Sequence, residues 1–312
     1  MSKKVKIILF SVLLVLVLLV GTVCGLVMYY FSGLTIDNTI PVDKEALNID
    51  LDYYNEKDLE EGEITNIALF GLDTRNNDDS GRSDALMVVT VDKKHHKIKL
   101  TSIARDTRVE IEGHGQDKIN HAYSFGGAEL AIKTLNQNFK LDITDYVSVN
   151  FAQVASIIDR MGGVNITLTE AEASQLGLSA GNVLLNGKQA VSYSRIRYID
   201  NDNVRTSRQR TVLTALFNKA RTLDITEYPG LIKEFMGMCT TSLSYTEIFD
   251  LATIMMDKQL TLEQAAYPNE KSNAWGGIMD DGIWYYVYDL EAATESLHKF
   301  IYDDINPANQ TS

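Results

Sequence analysis

The first pattern along the chain is a run with no polar face at all. IILFSVLLVLVLLVGTVCGLVMYYF, residues 7–31, carries no charged side chain and exceeds the roughly 20 residues that a membrane-spanning helix needs. The MSKKVK before it holds three lysines and no acid. Such a charge bias keeps residues 1–6 in the cytoplasm and sends the rest of the chain outside. A cleaved signal peptide has an apolar stretch of about 7–15 residues and a small-residue exit. This run is longer, and Val23 and Met28 spoil the small-residue sites. Val23 also argues against a lipoprotein site at Cys24. The expectation is an uncleaved single-pass anchor over 7–31, with the cell membrane as location and the following domain extracytoplasmic.

Beyond the anchor, residues 32–62 are polar and acidic, with EKDLEEGE near their end, and read as a stalk. Then the periodicity changes. NIALFGL (66–72), ALMVVTV (85–91) and KIKLTSIA (97–104) read as β-strands, the last two joined by the DKKH turn as a hairpin. Helical spacing appears in 126–139, 151–161, from about 203 to 222, near 228–238 and in 246–258. Short strands are expected at 146–150, at VNITLT and at 283–290, with a closing helix in EAATESLHKFIYDDI. Paired glycines at 126–127 and 162–163 read as turns and helix ends. Interleaved strands and helices predict an α/β domain over 63–305, its helices on both faces of a central mixed sheet, with 306–312 as a tail.

Charge narrows the partners. The chain is −13 overall, and without the three N-terminal lysines 26 basic side chains face 42 acidic ones. That balance excludes nucleic acid as partner, which needs a broad basic face, and disfavours lying flat on anionic lipid. One of the two cysteines lies in the anchor, so no disulfide forms within the exported part.

Against this background SRIRYIDNDNVRTSRQR, residues 194–210, gathers five of the eleven arginines. Asp202 or Asn203 can cap the helix that follows. At about 100° per residue, Val212, Leu213, Leu216, Phe217 and Ala220 form one apolar stripe. Gln209 falls within that stripe and Arg205 at its edge, whereas Arg208 and Arg210 read as solvated. Polar groups on the core side need a partner. That partner is either an internal carboxylate or an anion held at the helix N-terminus. If SRIR is extended, Arg195 and Arg197 share one face.

A second cluster lies at strand ends: Asp73 and Arg75 in GLDTR, Arg82 and Asp84 in GRSD, and Arg105, Asp106 and Arg108 in SIARDTR. Antiparallel neighbours bring these ends together. Aspartates among arginines form either an ion-pair network or a divalent-cation site. Hard oxygen ligands select Mg²⁺ or Mn²⁺ over zinc, and the five histidines lack zinc spacing. His121 reads as a local hydrogen-bonding residue or a member of the site. No phosphate-binding P-loop of the form G-x-x-x-x-G-K-[ST] is present.

GLDTR, GRSD, SIARD, KINHAY, MGGV, LNGKQA, SRIR and R-x-x-RQ occur in that order from Gly71 to Gln209. Together they resemble the LytR-CpsA-Psr family of Gram-positive cell-envelope proteins, closely over about residues 64–222. The resemblance implies an α/β/α sandwich with an apolar channel for a prenyl tail. It also implies transfer of an anionic glycopolymer, of wall teichoic acid or capsular type, from a polyprenyl-pyrophosphate carrier to peptidoglycan, releasing polyprenyl phosphate. By motif position, Arg82, Arg105, Arg195, Arg197, Arg205 and Gln209 hold the pyrophosphate, and Asp73 and Asp84 bind Mg²⁺ or Mn²⁺. Arg82 and Arg105 then stabilise charge at the reacting phosphate, with Asp73 or Asp106 as the group that accepts the hydroxyl proton. Ala104 stands where the family usually has proline, a change expected to loosen the backbone at Arg105. Other classes compatible with these residues are an envelope-linked transcriptional attenuator, a non-catalytic polyprenyl-phosphate-binding module and a hydrolase. Six cytoplasmic residues are too few for a DNA-binding module.

Overall fold

The near-continuous apolar run in residues 64–72 belongs to a strand buried on both faces. The computed structural model describes residues 35–55, 62–73, 81, 83–197, 202–224, 227, 230–231, 235, 237–269 and 271–309. The anchor, Arg75, Arg82 and most of the helix expected near 228–238 lie outside these residues. Among the described residues no helix is long and apolar enough to cross a membrane.

In chain order the strands are β1 (Thr35–Ile36), β2 (Ile64–Leu72), β3 (Ser83–Asp92), β4 (Lys97–Ile103), β5 (Arg108–Ile111), β6 (Gly115–Lys118), β7 (Asp145–Asn150), β8 (Val164–Leu168), β9 (Gly181–Leu185), β10 (Thr240–Thr241), β11 (Thr261–Tyr267), β12 (Trp275–Ile278) and β13 (Trp284–Val287). The helices are α1 (Leu51–Asn55), α2 (His121–Phe139), α3 (Phe151–Arg160), α4 (Glu170–Leu176), α5 (Gly187–Ser194), α6 (Asp202–Ala220), α7 (Tyr245–Met255) and α8 (Leu290–Tyr302). Seven strands form the central sheet in the order β1-β10-β7-β2-β3-β4-β11. It is mixed: β2, β3 and β4 run antiparallel, while β7 joins β2 and β11 joins β4 in parallel.

Alternation along the strands sorts the two faces. Ala68, Phe70, Leu72, Leu86, Val88 and Ile103 pack with residues of α2 and α8 in one apolar cluster. Ile67, Val91 and Ile98 point the other way and meet Phe217 of α6 and Ile248, Leu251 and Ile254 of α7. A third cluster joins α3, the β8–β9 hairpin, α4 and α5 beneath Val212 and Leu216 of α6. Helix α6 is therefore shared, with one flank on the sheet and the other on this side module.

Several expectations change. Part of the stalk is not a stalk. Leu47 is fully buried and joins the α2–α8 core with Ile49, β1 adds a strand to the sheet edge, and Tyr53 hydrogen-bonds His298 of α8. Apolar spacing too sparse to read as an element is enough here because the core is already present to receive it. Helix α2 begins at His121 and breaks at Gly126 and Gly127, the latter at φ 64, so the expected start at 126 marks its second piece.

Candidate active site

Strand β4 ends in a tight turn. Thr107 donates both its N–H (3.0 Å) and its hydroxyl (2.7 Å) to the carbonyl of Ala104, which leaves Arg105 and Asp106 at the two corner positions. The turn is pinned on both sides. Asn120 N–H donates to the Arg105 carbonyl at 3.2 Å and Tyr286 N–H to that of Asp106 at 2.8 Å. Ala104 donates its own N–H to Tyr267 at 2.8 Å, a bond proline cannot make. The expected loosening at this alanine is therefore corrected: the substitution adds a tether.

Arg105 reaches across to Asp84 at 2.7 Å and touches Asp106 at 3.3 Å, and Lys118 holds the other Asp106 oxygen at 2.7 Å. Asp84 owes its direction to a bulge. The β2–β3 register pairs Gly71 with Ala85 but Leu72 with Ser83, so Asp84 is the extra residue, and bulges re-aim side chains.

From above, the first turns of α6 close the pocket. Arg205 and Gln209, one turn apart, are 7% and 9% exposed. With Thr206 they line a small polar hollow together with Asp84, Arg105, Asp106 and Tyr286. The structure thus brings Asp84, Arg105, Asp106, Arg205 and Gln209 to one place.

Arg208 and Arg210 correct the surface expectation: both are buried. Arg208 bonds Glu172 of α4 at 2.7 Å and the Ile196 carbonyl at 3.4 Å. Burial would raise the Glu172 carboxyl, but hydrogen bonds from Arg208 and Thr169 outweigh it and hold the group below its ordinary value. Arg210 donates to Gln264 of β11, and burial pushes its guanidinium down to about 10. A helical wheel misplaces Arg208 because α6 has the side module against its other flank, and Arg210 because the edge strand β11 of the sheet also packs on the helix. Arg208→Ala strands the buried Glu172 charge, so a loss of about 3–5 kcal/mol is expected in denaturant unfolding. Arg208→Met combined with Glu172→Gln should recover most of it.

Arg195 and Arg197 are exposed on either side of buried Ile196. The extended stretch that would put them on one face is not formed at Arg195, which is the C-cap of α5 at φ −106, ψ 2. Arg195 lies over the Phe151 ring (4.6 Å to its centroid) and 3.4 Å from Asp73, which is itself exposed at the end of β2. Asp73 and Asp84 offer the hard oxygens that Mg²⁺ or Mn²⁺ prefers, each facing an arginine. One tight carboxylate–histidine group among the described residues, Asp92, His95 and Asp304, sits at the opposite end of β3, roughly 30 Å away by strand rise. The Lys99 ammonium already occupies it, 2.6 Å from Asp92. His121 bonds Asp117 at 2.8 Å, a local role.

Sequence reasoning assigned no residues to the tail channel. In the structure, an apolar hollow under α6 shares Ala85 and Gln209 with the polar pocket and is otherwise lined by residues such as Leu69, Met87, Val149 and Val154. It adjoins a second, entirely apolar hollow at Leu69 and Leu213, which continues between the sheet and α7 past Val89, Leu100, Phe217 and Leu251. A charged head site thus opens onto an apolar corridor.

The LytR_cpsA_psr family model matches residues 30–300. The chain belongs to the LytR-CpsA-Psr family. A relative from Bacillus cereus strain AH820, named polyisoprenyl-teichoic acid–peptidoglycan teichoic acid transferase TagU, is 35% identical over 306 residues, 95% of this chain and 96% of its own. The TagU of Enterococcus faecalis strain V583 is 32% identical, covering 94% and 95%. The structure of TagT bound to LI-WTA aligns with this LytR-CpsA-Psr chain at TM-score 0.65 and 25% identity, over 78% of this chain and 94% of that one.

Proposed function

We propose that this chain transfers an anionic glycopolymer, of wall teichoic acid or capsular type, from a polyprenyl-pyrophosphate carrier to peptidoglycan, releasing polyprenyl phosphate. One observation carries the reading: the arginine-lined pocket opens directly onto an apolar corridor. A diphosphate head joined to a hydrocarbon tail has that same division of chemistry. The names of the TagU relatives and of the TagT complex support it.

Arg105, Arg205 and Gln209 hold the pyrophosphate, with Arg195 and Arg197 at the rim and Arg82 joining from the β2–β3 connection. A sugar hydroxyl attacks the glycan-linked phosphorus. The new O–P bond forms as the bond to the bridging oxygen breaks, and polyprenyl phosphate leaves. Arg82 and Arg105 stabilise charge on the phosphate oxygens. The hydroxyl proton passes to Asp73 or Asp106: cationic hydrogen bonds to both Asp106 oxygens weaken that carboxylate as a base, and metal coordination would do the same at Asp73. Asp73 and Asp84 hold Mg²⁺ or Mn²⁺, which when bound offsets phosphate charge. Residues 7–31 anchor the α/β/α domain at the outer membrane surface, where a carrier's headgroup lies within reach.

The full chain, given a polyprenyl-pyrophosphate-linked glycan and peptidoglycan oligomers, should release polyprenyl phosphate and form the joined product. A chelator should stop turnover and Mg²⁺ or Mn²⁺ restore it. Lipid binding without product for any acceptor, or transfer to water in preference to peptidoglycan, sinks the reading.

A further inference from the structure

The chain has only two tryptophans, and both lie on the β12–β13 hairpin, Trp275 50% and Trp284 39% exposed. Large aromatic side chains left in solvent on a structured hairpin mark a contact surface. The register pairs Ile278 with Trp284 and Gly276 with Tyr286, so these four residues share one face. The indole of Trp284 lies across Gly276: a Cβ there would fall 2.2 Å from a ring carbon. Its edge meets Tyr286, with ring centroids 5.4 Å apart, and Tyr286 also lines the polar pocket beside Arg105 and Asp106. Ile278, 71% exposed, extends the face away from the pocket. The result is an apolar aromatic strip, its two rings at 82° to one another, that ends at the polar pocket.

Charge selects its occupant. The hairpin turn carries Asp280 and Asp281 on a chain that is already −13. Neither an anionic lipid surface nor a polyanionic polymer is attracted there. An uncharged pyranose is, because its C–H face stacks on an indole while its hydroxyls stay in water. We propose that Trp284, with Tyr286 and Ile278, forms a stacking platform for the acceptor glycan strand and presents its sugar hydroxyl to the pocket. This rests on the transfer reading above.

The test uses the full-length chain in detergent with Trp275→Phe, which leaves Trp284 as sole reporter. Titration with a β-1,4-linked N-acetylglucosamine hexamer should give a saturable change in its emission. Adding Gly276→Ala, which displaces the indole, should weaken that binding about tenfold. In the transfer assay Trp284→Ala should raise acceptor KM about tenfold with donor KM and kcat unchanged, and Trp284→Phe should restore most of the loss. Unchanged emission with the hexamer overturns the platform. An emission response to phosphatidylglycerol vesicles instead means membrane insertion, and a rise in donor KM alone means that the strip seats the donor glycan. Either result also overturns it. If the wild-type chain releases no polyprenyl phosphate, the transfer reading fails, while the emission titration still decides the platform.

Discussion

Arg105→Ala should lower single-turnover release of polyprenyl phosphate by about 10²–10³-fold, the usual cost of removing one donor aimed at developing charge. The expectation rests on where Arg105 stands. It occupies a turn fixed by backbone hydrogen bonds on both sides, and its guanidinium spans Asp84 and Asp106. Removing it deletes a cation and also leaves two carboxylates facing an incoming diphosphate. Arg105→Lys keeps the charge but loses the planar fork, so it should fall between wild type and alanine. Asp84→Asn keeps a hydrogen-bond acceptor for Arg105 but is a far weaker ligand for a hard cation. If Asp84 only orients Arg105, this variant should stay near wild type; if it also holds the divalent ion, activity should fall and partly recover at raised Mg²⁺. An unfolding temperature unchanged in Arg105→Ala separates catalysis from stability. Transfer retained above a tenth of wild type would remove Arg105 from the reaction.

The elements that build the pocket were legible for a specific reason. Strands buried on both faces leave long apolar runs, and β2, β3 and β4 appear close to their observed limits. Gln209 was legible because a polar residue within an apolar stripe has few explanations. Helices α4 and α5 were not read, although each opens with a capping box, Thr169 with Glu172 and Asn186 with Gln189. That signature is present in the sequence, but both helices are too short for periodicity to show. Arg208 was misread because its burial depends on a module contributed by residues 151–196, and Arg210 because its partner Gln264 lies on β11, 54 residues further along the chain; no local pattern reports either. The corridor was illegible for a deeper reason. Its residues are ordinary sheet and helix apolars, and only their failure to close on one another makes a cavity.

That failure to close supports the second large effect. Gly71 and Ala85 pair directly across β2 and β3 at the neck, and a Cβ added at Gly71 would lie 2.8 Å from that of Ala85. Both line the corridor where it leaves the polar pocket, and Ala85 lines the pocket as well. Ala85→Phe therefore fills the passage and should exclude prenyl tails of any length. Burying one five-carbon isoprene unit is worth about 4 kcal/mol at ~0.8 kcal/mol per carbon. Denying even one unit should therefore lower kcat/KM by about 10²–10³-fold. Leu251→Trp, in the far hollow beside α7, should behave differently. It leaves the neck open, so a donor with a ten-carbon tail should react normally while a long-tailed donor loses activity. Lipid co-purifying with each variant, identified by mass spectrometry, checks the same order without turnover: full-length tails in wild type, shorter or fewer in Leu251→Trp, none in Ala85→Phe. Equal tail lengths in all three proteins would mean that the tail lies outside the corridor, on the bilayer side of the domain, and that the hollow under α6 is only a packing defect.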